Sequence, residues 1–379
     1  MSSLQVALAR SRDAMSARTA LREWQRAQAH VPEEAAVLVY FGSGAQYLYQ
    51  IRDWLPPLEV LADKLPVALV VRDPRAALLL RHLTTIPIVL ARWLADLDAV
   101  MTRYQPRAVL YVNQNVSNFD LLAYAAPQHV FLSHGESDKV YMVSNQAKAY
   151  DLTFVAGQAA VDRYAAALHD FDTATKLRII GRPQLHIPQE PPADLPPTNL
   201  PTVLYAPTTE GSGEVMEYGS LASHGVAMVS ALLASGAYRV IFRPHPQAGR
   251  RLAAHADAKA TIERMLSAPH YVDTTPRFGW QQEAADALVC DISAVAVDWL
   301  TTSKPLVVTR PASRAPVLEG GMLADLPLLA ADRAGDVVTA LVAASSADEM
   351  ARLQRWADYY FAPGDVATFV DAVCDVVGR

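Results

Sequence analysis

Short apolar runs alternate with amphipathic stretches along most of this chain. Residues 37–41, 67–71, 86–90, 109–112, 130–132, 152–155 and 177–180 are too short for helices and are dominated by Val, Ile, Leu and aromatics. Most are followed by a segment with apolar residues at helical spacing, and such alternation predicts buried parallel strands with crossover helices. After Gly181 the pattern breaks: Pro183, Pro188, Pro191, Pro192, Pro196, Pro197 and Pro201 fall in a stretch with little that can pack. Clustered prolines stiffen a chain and favour extended structure, which marks a linker. The alternation then resumes at residues 203–206, 238–242, 287–290 and 305–308.

The predicted fold class is therefore α/β, with two Rossmann-like domains facing each other across a cleft, the GT-B arrangement. The boundaries are an N-terminal domain at residues 1–182, a linker at 183–201 and a C-terminal domain at 202–379. The last amphipathic segment, 366–377, is a core helix by pattern; in GT-B chains such a helix crosses back onto the first domain. The Gly42-Ser43-Gly44 turn lacks dinucleotide-site spacing and is expected to open a helix through Tyr47 and Trp54, interrupted by Pro56 and Pro57.

Composition narrows the function. The 379 residues are 51% hydrophobic and 19% charged with a net charge of -6, which suits a globular protein and argues against general nucleic-acid binding. Cys290 and Cys374 are the two cysteines, too few for a disulfide framework or a CxxC metal site, so a reducing cytoplasm is expected. No apolar run reaches the roughly 18 residues of a spanning helix. Residues 3–29 have helical composition, with Leu4, Leu8, Met15, Leu21 and Trp24 among five arginines. Two readings stand: a helix lying on anionic lipid at the inner face of the plasma membrane, or a basic surface helix packed on its own domain.

Polar residues gather where predicted strands end, which in parallel sheets is where ligands bind. His134 and Gly135 follow the run at 130–132, with the chain expected to turn at Gly135 and Lys139 nearby to hold an anion. Arg243-Pro244-His245-Pro246 ends another run and joins a guanidinium fork to a switchable imidazole on a stiff backbone, suited to phosphate oxygens. Asp291 and Ser293 stand at a strand-to-helix junction, Ser293 at a helix start that favours anions. Three roles remain open for Asp291: orienting Arg243 or His245, binding a metal, or capping. The 113–118 loop is rich in amides and faces either an acceptor polyol or its own backbone. The other histidines lack metal-site spacing.

In this order the motifs resemble the CDP-glycerol glycerophosphotransferase family, which builds teichoic acids and related capsule polymers. The matching residues are His134-Gly135 with Lys139, Gly181-Arg182-Pro183-Gln184, Tyr205-Ala206-Pro207-Thr208, Arg243-Pro244-His245-Pro246, Asp291-Ile292-Ser293 with Asp298, and Lys304-Pro305. The resemblance implies transfer of a polyol phosphate, glycerol phosphate above all, from a CDP-polyol donor to a hydroxyl of a polymer or lipid-linked acceptor, with CMP leaving. It implies His134 and His245 as catalytic residues, His134 as the base. Gly135, Lys139, Arg182, Thr208, Arg243, Asp291, Ser293 and Asp298 are implied as substrate-binding, with no certain cofactor and room for a divalent cation such as magnesium. The chain departs from the family at Glu136-Ser137, Thr209-Glu210 and Ala294, changes expected to bring acid into the cleft and remove donors. The alternatives are a GT-B glycosyltransferase or nucleotide-sugar epimerase, and a non-catalytic polymer-binding protein.

Overall fold

The computed structural model describes residues 3–26, 32–139, 142–316 and 321–378, the side chains of 3–14 excepted. Seven parallel strands, β1 (Val37–Phe41), β2 (Val67–Val71), β3 (Ile88–Leu90), β4 (Ala108–Tyr111), β5 (Gln128–Phe131), β6 (Leu152–Val155) and β7 (Leu177–Ile179), form one sheet in the order β3-β2-β1-β4-β5-β6-β7. Five more, β8 (Thr202–Ala206), β9 (Arg239–Phe242), β10 (Tyr271–Val272), β11 (Ala287–Cys290) and β12 (Leu306–Val308), form a second in the order β10-β9-β8-β11-β12. All their pairings are parallel. This is two doubly wound α/β sheets, each with its order reversing beside its first strand, between β1 and β4 and between β8 and β11. Both faces of β1, β2 and β8 are buried, which accounts for their unbroken apolar sequence.

Two local expectations need correction, and one short strand was not foreseen. Pro56 and Pro57 do not interrupt a helix. The turn after β1 runs through a 3-10 segment (Ala45–Tyr47) and a short helix (Tyr49–Arg52), and the two prolines lie in the first turn of Leu55–Ala62, where a missing N–H costs nothing. The edge strand β10, two residues long, carries too little pattern to be seen. In the proline-rich stretch, Pro183–His186 forms a 3-10 turn.

The helix Ser3–Arg26 is present, and 27–29 lie outside the described residues. Ala20 is buried, Trp24 packs against the core of the first sheet, and Arg81 lies 5.7 Å from the Trp24 ring centre. This end of the helix packs on its own domain.

The helix Val366–Val377 also belongs to the first sheet's core. Phe369, Val370, Val373, Val376 and Val377 are buried there, Phe369 with its ring 5.1 Å from Trp54. To reach it the chain passes the segment after β7 backbone against backbone: Ala362 N donates to Ala156 O at 2.9 Å, and Gly181 adopts a φ of 73° against Gly364. A Cβ on Gly364 would lie 2.2 Å from Ile180 O, so this crossing requires glycine. Phe369→Ala is expected to destabilise the first domain by about 3 to 5 kcal/mol through the cavity it leaves. Thermal unfolding followed by intrinsic Trp fluorescence measures it.

Candidate functional site

The carboxyl ends of both sheets face one cavity of about 220 Å³. From the first domain, Ser133 to Lys139 leave β5. The left-handed residue of this turn is Ser133, with φ of 58°, and not Gly135 as expected. Trp54 Nε1 donates to Ser133 O at 2.6 Å and Ser133 Oγ to Gly135 O at 3.0 Å, which fixes the turn. Gly135 is required for a different reason: a Cβ there would lie 2.8 Å from Ala294 Cβ in the second domain. The absence of a side chain lets the halves meet.

Arg182, just after β7, closes the same junction. Its Nε and Nη2 donate to Asp298 at 3.1 and 3.3 Å, and Nη2 also donates to His134 O at 3.1 Å. Both partners are buried. Arg182 and Asp298 line the cavity as expected, but their charges are committed to each other, so their part is to position His134 and the interface.

His134 and His245 both meet the Tyr49 ring edge-on, with ring centres 6.3 and 5.0 Å from it. Desolvation, followed by Arg182 and Lys139, lowers the His134 pKa to about 4. Desolvation, then Lys139 and His134, lowers that of His245 to about 3. Both rings are therefore neutral at pH 7. His245 Nδ1 accepts from the backbone N–H of Gln247 at 3.1 Å, which leaves its proton on Nε2 as a donor.

Lys139 is buried, donates to Thr208 Oγ1 at 3.2 Å and lies 5.4 Å from the Tyr218 ring centre. Desolvation lowers its pKa to about 8, with Asp291 acting in the other direction. From the second domain, Thr208 follows β8 and Ser293 follows β11, the two strands flanking the order reversal. The Ser293 Oγ is buried without a partner at the start of Ala294–Trp299. Arg243 Nη1 donates to Asp273 at 2.6 Å and to Thr275 at 2.9 and 3.0 Å, so Asp273 and Thr275 orient it.

Asp291 does not make the substrate contact that the resemblance implies, and of the three roles left open it takes that of a cap. It is fully buried behind the cavity and accepts from Thr208 N at 2.7 Å, Ser220 N at 3.0 Å and Thr309 Oγ1 at 2.7 Å. It orients neither Arg243 nor His245 and touches no ligand space; it fixes the loop that carries Thr208. Burial raises its pKa against these hydrogen bonds.

The expected acid is also missing from the cleft. Glu136 pairs with Arg163 at 2.9 Å. Glu210 is buried and accepts backbone N–H groups of Gly249, Arg251 and Leu252 at 2.7 to 3.2 Å, which lowers its pKa despite burial. The remaining carboxylates on the cavity, Asp53 and Asp298, are paired with Arg277 and Arg182. Such a donor set does not suit a divalent cation, and among the described residues no cluster of three His, Cys, Asp or Glu side chains could hold a metal.

Tyr49, Asp53, Pro276 and Phe278 line the cavity without having been singled out. The Gly42-Ser43-Gly44 turn that leads to Tyr49 was the available signal. The amide loop after β4 turns inward: Asn113 and Asn115 donate to Ser43 Oγ at 3.0 and 2.7 Å, and a Cβ on Gly42 would overlap Ser117. It shapes the turn that presents Tyr49.

Residues 195–314, which carry Thr208, Arg243, His245, Ser293 and Asp298, match the family model described as CDP-Glycerol:Poly(glycerophosphate) glycerophosphotransferase. The expected family resemblance is borne out over this segment. No curated protein matches the sequence. Among solved structures, the wall teichoic acid polymerase TagF is similar, with a TM-score of 0.58 and 12% identity over 92% of this chain and 89% of that one. UDP-GlcNAc 2-epimerase from Neisseria meningitidis has a TM-score of 0.58 at 10% identity, covering 89% of this chain and 99% of that one. A glycosyltransferase from Rickettsia africae has a TM-score of 0.53 at 11% identity, covering 91% and 98%. At these identities the likeness is one of fold, and the fold is GT-B.

Replacing Asp291 by Ala is expected to lower stability by about 3 kcal/mol or more, because three buried donors lose a charged acceptor. The unfolding midpoint is the readout; a residue that only met a ligand would leave it in place.

Proposed function

We propose that this protein transfers glycerol phosphate, or a closely related polyol phosphate, from a CDP-activated donor to a hydroxyl of a cell-wall polymer, and that CMP leaves. The coarser part, a polyol-phosphate transferase, rests on the glycerophosphotransferase match at residues 195–314. The observation that carries the finer part is a cleft in which His134 stands with a cluster of donors while each nearby acid is engaged by another group of the protein. Lys139, Thr208, Ser293, Arg243 and the Nε2–H of His245 are its donors.

In this reading the diphosphate lies against those donors, and the unpartnered Ser293 Oγ gains an acceptor. His134 removes the proton of the acceptor hydroxyl as its oxygen attacks the distal phosphorus. The bond from that phosphorus to the bridging oxygen breaks, and CMP takes the electron pair. Alignment and charge stabilisation on the phosphate oxygens supply most of the acceleration in such transfers. The base adds about a hundred- to ten-thousand-fold. His245 acts through its donated proton, with its neutral state maintained by burial. The setting that fits is the cytoplasmic face of a membrane where lipid-linked polymer is assembled.

The test is nucleotide release from a panel of CDP-polyols and UDP-sugars in the presence of an acceptor oligomer. CMP from CDP-glycerol is expected. UDP release with no response to CDP-polyols would make the protein a sugar transferase or epimerase, and silence from every donor with binding retained would make it a binding protein. His134→Ala is expected to lose about a hundredfold or more in kcat.

The pH profile of kcat/KM, which reports the free enzyme, gives a second check. A base whose pKa is depressed stays unprotonated well below the ordinary histidine range, so the acid limb is expected near pH 4. The alkaline limb is expected near pH 8, where Lys139 loses its charge. An acid limb near about 6.5, the unperturbed histidine value, would mean that the cleft does not depress this base; an acid limb that persists unchanged in His134→Ala would remove His134 from the role.

A further inference from the structure

A second cavity, of 390 Å³, shares Tyr49, Arg243, Pro244, His245, Pro246 and Pro276 with the cleft, so the two have a common wall. Beyond that wall its charged residues are Arg52 from the first domain and Arg250, Lys259 and Glu263 from the second, with Asp273 at its base. The acids are already engaged. Asp273 is held by Arg243 at 2.6 Å, and Glu263 lies 3.9 Å from Lys259 on the next helical turn.

Arg52 and Arg250 are different. Among the described residues neither has an ion pair, and the carboxylate next to Arg52 in sequence, Asp53, is turned to Arg277 at 3.4 Å. The Arg52 Nε is buried with no hydrogen-bond partner. Desolvation pulls the guanidinium pKa below its ordinary value even with Asp53 beside it. A buried guanidinium N–H without an acceptor is costly, and Arg52 lines the groove, so an anion held there meets a cation that has no ion pair among the described residues. The lips belong to different domains and are bridged where Gln247 Nε2 donates to Gln46 O at 2.7 Å, so the groove takes shape only when the halves face each other.

The donor's two phosphates are accounted for by the cleft on the other side of the Tyr49 and His245 rings. The groove therefore calls for a separate anion, on a molecule long enough to pass that wall. An arginine fork matches the tetrahedral oxygens of a phosphodiester.

We propose that the groove is an acceptor subsite in which Arg52 and Arg250 hold an internal phosphodiester of the growing polymer while its terminal hydroxyl reaches His134. The acceptor is then recognised as a polyanion, and chains that already carry phosphodiesters are preferred over a neutral end group. This rests on the transfer reaction proposed above.

The experiment is equilibrium binding without turnover. A fluorescently tagged glycerol-phosphate oligomer is titrated by anisotropy against the wild type, Arg250→Gln and the Arg52→Gln, Arg250→Gln double variant, and CDP-glycerol is titrated in parallel by calorimetry. A neutral polyol oligomer is the control. The expected result is oligomer binding weakened about tenfold or more in the double variant and by a smaller factor in Arg250→Gln, an exposed position where misfolding is not at issue. CDP-glycerol affinity stays unchanged and the neutral oligomer does not bind. Equal oligomer affinity in wild type and variants, no oligomer binding by the wild type, or a parallel loss of CDP-glycerol binding would each overturn the subsite. The transfer reading is tested separately by CMP release, so either can fail alone.

Discussion

The site depends on the buried pair between Arg182 and Asp298. One belongs to the segment leaving the first sheet and the other to a helix of the second, and the same guanidinium holds the carbonyl of His134. Two desolvated charges gain little net stability over apolar partners, but removing either leaves the other uncompensated at a cost of about 3 to 5 kcal/mol. What such a pair supplies is register. It sets how far one sheet edge stands from the other, and the contact between Gly135 and Ala294 sets how closely they approach. His134 receives its position from this junction and its depressed pKa partly from the charge that builds it.

The chemistry of the cleft follows from where the acids go. The carboxylates on or near it are each engaged: Glu136 by Arg163, Asp53 by Arg277, Asp298 by Arg182, Asp273 by Arg243, Asp291 by Thr208, Ser220 and Thr309, and Glu210 by the backbone of a neighbouring turn. Donors facing the cavity thus keep a field suited to phosphate in a chain of negative net charge. Neutral histidines are the other half of the same condition, since desolvation first, and the neighbouring cations after it, disfavour charge on His134 and His245.

Much of this was legible in the sequence. Strand ends and helical spacing located both sheets, and the residues at those ends, His134, Lys139, Thr208, Arg243, His245 and Ser293, do converge on one cavity. What could not be read was which way a polar side chain points. Asp291 and Ser293 are two residues apart, yet one is locked behind the loop and the other opens into the cleft. Glu210 looked like a cleft acid, and only the three backbone N–H groups that fold back onto it reveal a cap. Tyr49 follows an irregular turn with no periodicity to mark it, and its role is created by histidines distant in sequence. Local rules mark Gly135 as a turn residue, whereas its neighbour in space, Ala294, explains it.

The helix that ends the described chain has a consequence for the order of events on the ribosome. The first sheet's core is completed by Phe369, Val370 and Val373, residues made after the whole second domain. A domain that normally folds as it emerges must here wait for its last wall. Until then it presents the apolar floor around Trp54 and Leu58, and a nascent chain that stalls anywhere in the second half carries a first half without that wall.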